Sequence, residues 1–172
     1  MRAMPAPDDV GRVQPPTRGS ELDMLNAFLD YHRATLLWKV SGLSDEQLRR
    51  PMVPSGVSLL GIVKHLGYVE QNWFQVAFQG REGLPVPWSD EDPDADFRIE
   101  PEETTEAVLD FYREKVAQSR QAIVGASVED VEKHSKRIAT LRWIMIHMIE
   151  ETARHNGHAD ILREQIDGAT GE

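Results

Sequence analysis

The sequence predicts an all-α fold, an up-and-down four-helix bundle, and three observations carry that expectation. Four segments place apolar residues at helical spacing, no segment keeps a two-residue alternation, and every one of the ten prolines lies at or before Pro101. The 172 residues suit a single domain. Its expected organisation is a disordered or loosely attached arm over residues 1–19 and a bundle over residues 20–168.

The arm holds Pro5, Pro7, Pro15 and Pro16 and few large apolar side chains. Ser20-Glu21-Leu22-Asp23 then opens a helix, with serine as N-cap and acids in the first turn. Leu22, Leu25, Phe28, Leu29, Leu36 and Leu37 carry it to about Val40. Ser44-Asp45-Glu46-Gln47 caps a short helical turn that Pro51 and Pro54 end. Ser58 caps a second long helix, Leu59 to Gln79, which stops at Gly80. Residues 80–101 form a connector longer than ordinary loops, so a functional or mobile segment is expected there, with Trp88 and Phe97 as anchors. A third helix, from about Glu103 to Ala126, offers Val108, Phe111, Tyr112, Val116 and Ile123 as its inner face. The fourth begins near Thr140 and runs to about Ile166, before Gly168.

Composition excludes several classes of function. With no cysteine there is no disulfide, thiolate metal ligand, iron–sulfur cluster or cysteine nucleophile. Acidic residues outnumber basic ones by 29 to 19, and the resulting charge of −10 disfavours nucleic-acid binding. No apolar run approaches the ~18 residues of a membrane span, and Met1 to Ser20 lack a secretory h-region, so a cytoplasmic location is expected. The acids of the connector superficially suggest an EF-hand, with Asp92, Asp94 and Asp96 alternating and Glu103 at position twelve. Phe97 at position six, where the loop needs glycine, and Pro93 at position two argue against calcium.

The histidines carry the chemistry. At ~100° per residue, and with His147 as zero, Ile144 and Leu162 fall near ~60° and Met148 and Ile166 near ~100°. Glu151 lands near ~40° and His155 near ~80° on the same wheel, so both share the apolar stripe that faces the bundle centre. An isolated ionised carboxylate there costs several kcal/mol unless it is paired or bound to a cation. His65 lies at the edge of the second helix's stripe of Leu59, Ile62, Leu66, Val69, Trp73 and Ala77. His65, Glu151 and His155 would make a two-histidine, one-carboxylate set for one divalent ion, typically zinc, nickel or iron(II). A Glu–His pair can also satisfy itself by hydrogen bonding, so spacing alone leaves both readings open. His147 and His158 flank the stripe as candidate orienting residues or alternative ligands, or as solvated helix-edge histidines. His32 and His134 receive no role. Trp73, Phe74 and Phe78 suit a homodimer face or the core equally.

The segment Leu141-Arg142-Trp143-Ile144-Met145-Ile146-His147-Met148-Ile149-Glu150-Glu151-Thr152-Ala153-Arg154-His155-Asn156-Gly157-His158-Ala159-Asp160 resembles the DinB-like metalloprotein superfamily, in particular its actinobacterial branch of mycothiol-dependent enzymes. Ser58-Leu59-Leu60-Gly61-Ile62-Val63-Lys64-His65-Leu66 resembles that branch's second-helix ligand motif, and the similarity runs from residue 20 to 168. The resemblance implies a four-helix bundle holding a divalent metal through His65 and His155, with Glu151 where the wider superfamily commonly has histidine. Glutamate at that position is shared with the maleylpyruvate isomerase branch. Gly157, costly within a helix, is expected to mark a close approach or a tolerated kink.

Three protein ligands leave an open coordination position, where a bound thiol loses its proton near neutral pH. With no cysteine in the chain, the thiol must arrive as a cosubstrate, and the resemblance implies mycothiol or a similar small thiol. The expected partners are therefore a small-molecule thiol and an electrophile. S-transfer is expected over isomerisation, because the related isomerases add a C-terminal domain and this chain ends soon after Gly168. A metal-dependent hydrolase and a non-enzymatic metal-binding or interaction protein are the alternatives.

Overall fold

The computed structural model describes residues 11–134 and 138–170. Residues 1–10 of the proline-rich arm lie outside the described residues. From Gly11 onward the arm lies on the first helix, where the buried Arg12 donates from Nε to Thr35 Oγ1 at 2.9 Å and also reaches the Tyr31 hydroxyl.

The helix starts follow the capping chemistry of the sequence. Helix α1, Glu21–Val40, is capped by Ser20, whose hydroxyl accepts the amide of Asp23. Helix α2, Asp45–Arg49, begins with a full capping box between Ser44 and Gln47. Ser58 caps α3, Leu59–Glu70, by accepting from Gly61 N. Thr104 and Thr140 do the same for α4, Thr105–Ala122, and α5, Leu141–Asp167, and α5 stops at Gly168 in the left-handed region at φ 80°. The expected second helix does not stay α-helical to Gln79. Residues Gln71–Phe78 continue α3 as a π-helix, whose wider turn turns Gln71, Phe74, Gln75, Ala77 and Phe78 all inward.

Helix α1 lies along α5, α3 lies along α4, and α3 also faces α5. Two apolar clusters fill the interior. One gathers Leu36, Leu48, Leu59, Leu60, Ile62, Val63, Leu66, Val108, Tyr112, Val116 and Leu162. The other gathers Leu29, Phe74, Phe78, Ile123, Leu141, Ile144, Met145 and Met148. Phe74 and Phe78 are therefore core residues and are withdrawn from any dimer face. Phe28, expected on the inner stripe of α1, is instead exposed.

Between the two clusters runs a polar waist, to which every long helix contributes. Arg33 of α1 donates from Nε and Nη2 to the two oxygens of Glu70 on α3, at 2.7 Å each, and from Nη1 to Asp30 at 2.8 Å. Ser119 of α4 donates to the Glu70 carbonyl at 3.4 Å. On α5, Thr152 donates to the Met148 carbonyl and Asn156 donates to the His32 carbonyl. Arg33 and Glu70 are both almost fully buried, so each depends on the other for its charge.

The connector between α3 and α4 is an ordered strap that retraces α3 toward its N-terminus. Gln71 Nε2 donates to the Pro85 carbonyl at 2.9 Å, and Trp88 stands edge-on to Tyr68. A 3-10 turn, Ala95–Phe97, then crosses α3 near Gly61. Lys64 Nζ closes the strap by donating to the Arg98 carbonyl and to Glu103 Oε2, at 2.8 Å each.

Replacing Glu70 by Ala leaves the buried Arg33 guanidinium with only the half-exposed Asp30 as a partner and should cost about 3 kcal/mol in urea unfolding. The double replacement Arg33→Met with Glu70→Leu should cost less than either single change, because no charge is left unpaired. Equal, small losses for all three variants would show that the pair is not a buried constraint.

Candidate metal centre

His65, Glu151 and His155 meet in the seam between α3 and α5. Glu151 and His155 stand one turn apart on α5, so their side chains leave the same face of the helix. Glu151 Oε1 lies 3.5 Å from His65 Nε2 and 3.3 Å from His155 Nε2. One donor atom from each residue lies within 4.8 Å of the other two, the arrangement that the helical spacing anticipates. Donor atoms around a tetrahedral ion at ~2.1 Å stand ~3.4 Å apart, so the two edges through Glu151 already have the size of a coordination edge.

The set also has the right chemistry for a cation. His65 Nε2 is buried without a hydrogen-bond partner among the described residues, and it points toward the carboxylate. Burial, reinforced by the neighbouring His65, pushes the His155 imidazole down to about 4, which leaves it neutral and able to ligate at neutral pH. Burial works against ionisation of Glu151, but His155, His65 and Arg154 outweigh it and hold the carboxyl below its usual range. Arg154 approaches Glu151 Oε2 at 3.4 Å, leaving Oε1 for the imidazoles. The side chains of His65, Glu151 and His155 remain 14%, 14% and 10% exposed, so the cluster is not fully sealed from solvent although His65 Nε2 itself is buried.

Two residues that the sequence does not single out as part of the set complete the surroundings, and both come from the connector. Asp96, 5% exposed, lies with Oδ2 at 2.8 Å from His65 Nδ1. Phe97, expected only as an anchor, stacks on the His65 ring at 3.9 Å between centroids with a 14° tilt. Six acids stand between residues 90 and 100 and read as one solvated run, so nothing in the pattern separates Asp96 from its neighbours. Asp92, another member of the rejected calcium pattern, pairs with Arg98.

The flanking histidines part company. His158 is exposed and edge-on to His155, at 5.2 Å between centroids. His147 sits a turn away from Glu151, stacked on Trp143 and edge-on to Trp73, with Nδ1 3.7 Å from the Glu150 carboxylate. The orienting contact to a ring of the set comes from Asp96 instead. The close approach expected at Gly157 is also absent, since a Cβ there would meet nothing within 4 Å. Gly61 and Gly67 are the glycines that need their missing side chains. A Cβ at Gly61 would stand 2.2 Å from the Phe97 carbonyl oxygen, and one at Gly67 would stand 2.6 Å from the Phe111 ring.

A separate cavity of about 490 Å³ lies between α1 and α4, lined by Tyr31, Leu37, Tyr112 and Arg113 among others, and none of its lining residues belongs to the histidine–glutamate set. Among the described residues no helix is long and apolar enough to cross a membrane.

The Mycothiol-S-transferase family model matches residues 24–168, a span that takes in both halves of the candidate centre and the strap that joins α3 to α4. No curated protein matches the chain. A match over most of the sequence, on an all-α bundle with no strand among the described residues, establishes that the chain belongs to the mycothiol-S-transferase family of the DinB-like superfamily.

Proposed function

We propose that the protein is a divalent-metal-dependent S-transferase, which joins a small thiol of the mycothiol type to a soft electrophile in the cytoplasm. The observation that carries this reading is the convergence of two imidazole nitrogens and one carboxylate oxygen in a seam that stays partly open, in a chain of this family. His65 Nε2, Glu151 Oε1 and His155 Nε2 would hold the ion, with zinc the preferred metal for such a donor set. When bound, a divalent ion supplies a Lewis acid that lowers the pKa of a thiol entering its open position.

The chain's own residues set the terms of that chemistry. As ligands, two neutral imidazoles and one carboxylate would offset only half of a divalent charge. With no cysteine anywhere in the sequence, the sulfur has to come from a cosubstrate. Phe97 covers one face of the His65 ring and keeps water from that side.

Protein purified without a His-tag should contain about one divalent ion per chain, and alanine at His65, Glu151 or His155 should greatly reduce the occupancy. A triple alanine variant that binds metal as the parent does would contradict the ligand assignment.

Chelation should lower the melting temperature, because an ion that binds only the folded chain at 100 times its Kd stabilises it by about 2.7 kcal/mol. Without metal, Glu151→Gln should lose less stability than Glu151→Ala, since it keeps volume and hydrogen-bonding capacity. Identical melting with and without chelator would count against a carboxylate that needs a cation.

Incubation of the metal-loaded protein with mycothiol, bacillithiol, glutathione or cysteine and a bimane or chloro-aromatic acceptor tests the activity directly. One thiol should be strongly preferred, and conjugation should depend on pH less than the free thiol's reaction, which follows an ordinary pKa of ~8.5. His155→Ala should abolish the gain over background. Consumption of no thiol above background would sink the S-transfer reading.

A further inference from the structure

We infer that Asp96 is a positioning residue for the metal centre, and that Gly61 is the feature of α3 that brings it into place. The inference rests on the metal reading of His65, Glu151 and His155 and extends it to residues outside the ligand set.

The geometry makes the case in three steps. Asp96 is buried, and its Oδ2 lies 2.8 Å from His65 Nδ1. An ionised carboxylate can only accept, so His65 donates its Nδ1–H to Asp96, and the Nε2 lone pair is left facing Glu151. A ligand histidine held this way keeps one tautomer and one ring orientation and becomes a stronger donor. Phe97 then fixes the plane of the ring by stacking on it.

The two ligand histidines are unequal in this respect. His155 Nδ1 is buried with no hydrogen-bond partner among the described residues. The orientation of the centre therefore depends on the one ring that has a carboxylate behind it.

Asp96 reaches His65 only because the connector backbone can press against α3. The Phe97 carbonyl oxygen would stand 2.2 Å from a Cβ at residue 61, far inside contact distance, so any side chain there must push the 3-10 turn outward. Gly61 precedes His65 by one helical turn, which puts the point of contact directly beside the ring that Asp96 holds. The strap is tied on both sides of this contact, by Trp88 on Tyr68 and by Lys64 on the Arg98 carbonyl. Displacement at residue 61 is thus resisted elsewhere along the strap and falls on the Asp96–Phe97 turn.

The test compares the full-length parent with Asp96→Ala, Asp96→Asn and Gly61→Ala. Zinc affinity is measured by competition with a chromophoric chelator, and the visible spectrum is recorded with cobalt(II) in place of zinc. Asp96→Ala should weaken zinc binding by about 10–100-fold and shift the cobalt bands. Asp96→Asn should fall between parent and Asp96→Ala, because its amide oxygen still accepts the Nδ1–H without the charge. Gly61→Ala should weaken binding in the same direction as Asp96→Ala, although every ligand and Asp96 itself are intact. Circular dichroism of the metal-free variants identifies any that fail to fold, and the Asp96→Asn comparison then carries the result. Zinc affinity and cobalt spectra equal to the parent's in both Asp96 variants would overturn the inference while leaving the ligand set standing. A parent that binds no metal, or binds it equally after His65→Ala, would overturn the ligand set and the inference together.

Discussion

Charged side chains buried at mid-height in a helical bundle have to find partners, and most of this architecture follows from how they do so. The apolar core stops on either side of a polar waist, where Arg33 grips Glu70 with both forks of its guanidinium and where His65, Glu151 and His155 converge a short distance away. The two solutions differ in kind. The arginine–glutamate pair is closed, since both groups are almost fully buried, Glu70 takes two donors from Arg33, and Asp30 takes the third. The histidine–glutamate cluster holds one negative charge with no buried cation to answer it, and it remains partly open. The pair joins α1 to α3 and the cluster lies between α3 and α5, so α3 carries a member of each. The closed pair ties α1 to α3, while the cluster keeps its donor atoms turned toward one another without a cation between them.

The strap between α3 and α4 passes over the histidine–glutamate cluster. A connector of that length has to go somewhere, and here it runs back along α3, tied at Gln71, Tyr68 and Lys64. Its route passes over His65 because α3 presents glycine, not a side chain, at residue 61. The acids that make the segment look solvated are mostly that, as Asp94 and Glu100 are exposed, but Asp96 is turned inward. A composition that favours an extended loop therefore hides the one acid with a defined partner.

What could be read from the sequence is what depends on local pattern. The caps Ser20, Ser44, Ser58 and Thr140, the terminating Gly168 and the pairing of Glu151 with His155 all follow from residues within a turn or two of each other. His65 could be added because an apolar stripe shows which side of α3 faces inward. Pairings between distant positions that lie off these apolar stripes were out of reach. Arg33 and Glu70 are 37 residues apart, and His65 and Asp96 are 31 apart, with no periodicity to link either pair. The π-helical turns that continue α3 place Phe74 and Phe78 in the second cluster, and helical propensity does not encode them. Glycine illustrates the same limit. Gly157 is costly within a helix yet faces open space, as a tolerated kink would, while Gly61 and Gly67 receive a carbonyl and an aromatic ring from other elements.

The central claim is that one ion is held by His65, Glu151 and His155 with a position left open to an external thiol. X-ray absorption at the zinc edge, recorded before and after addition of mycothiol, tests it most directly. The account predicts only nitrogen and oxygen neighbours at about 2.0–2.2 Å in the zinc-loaded protein, and one new sulfur neighbour at about 2.3 Å once the thiol is added. Because the chain has no cysteine, that sulfur can be assigned to the cosubstrate. A zinc environment that stays unchanged in saturating thiol, or an ion whose neighbours survive loss of all three side chains, would contradict the account.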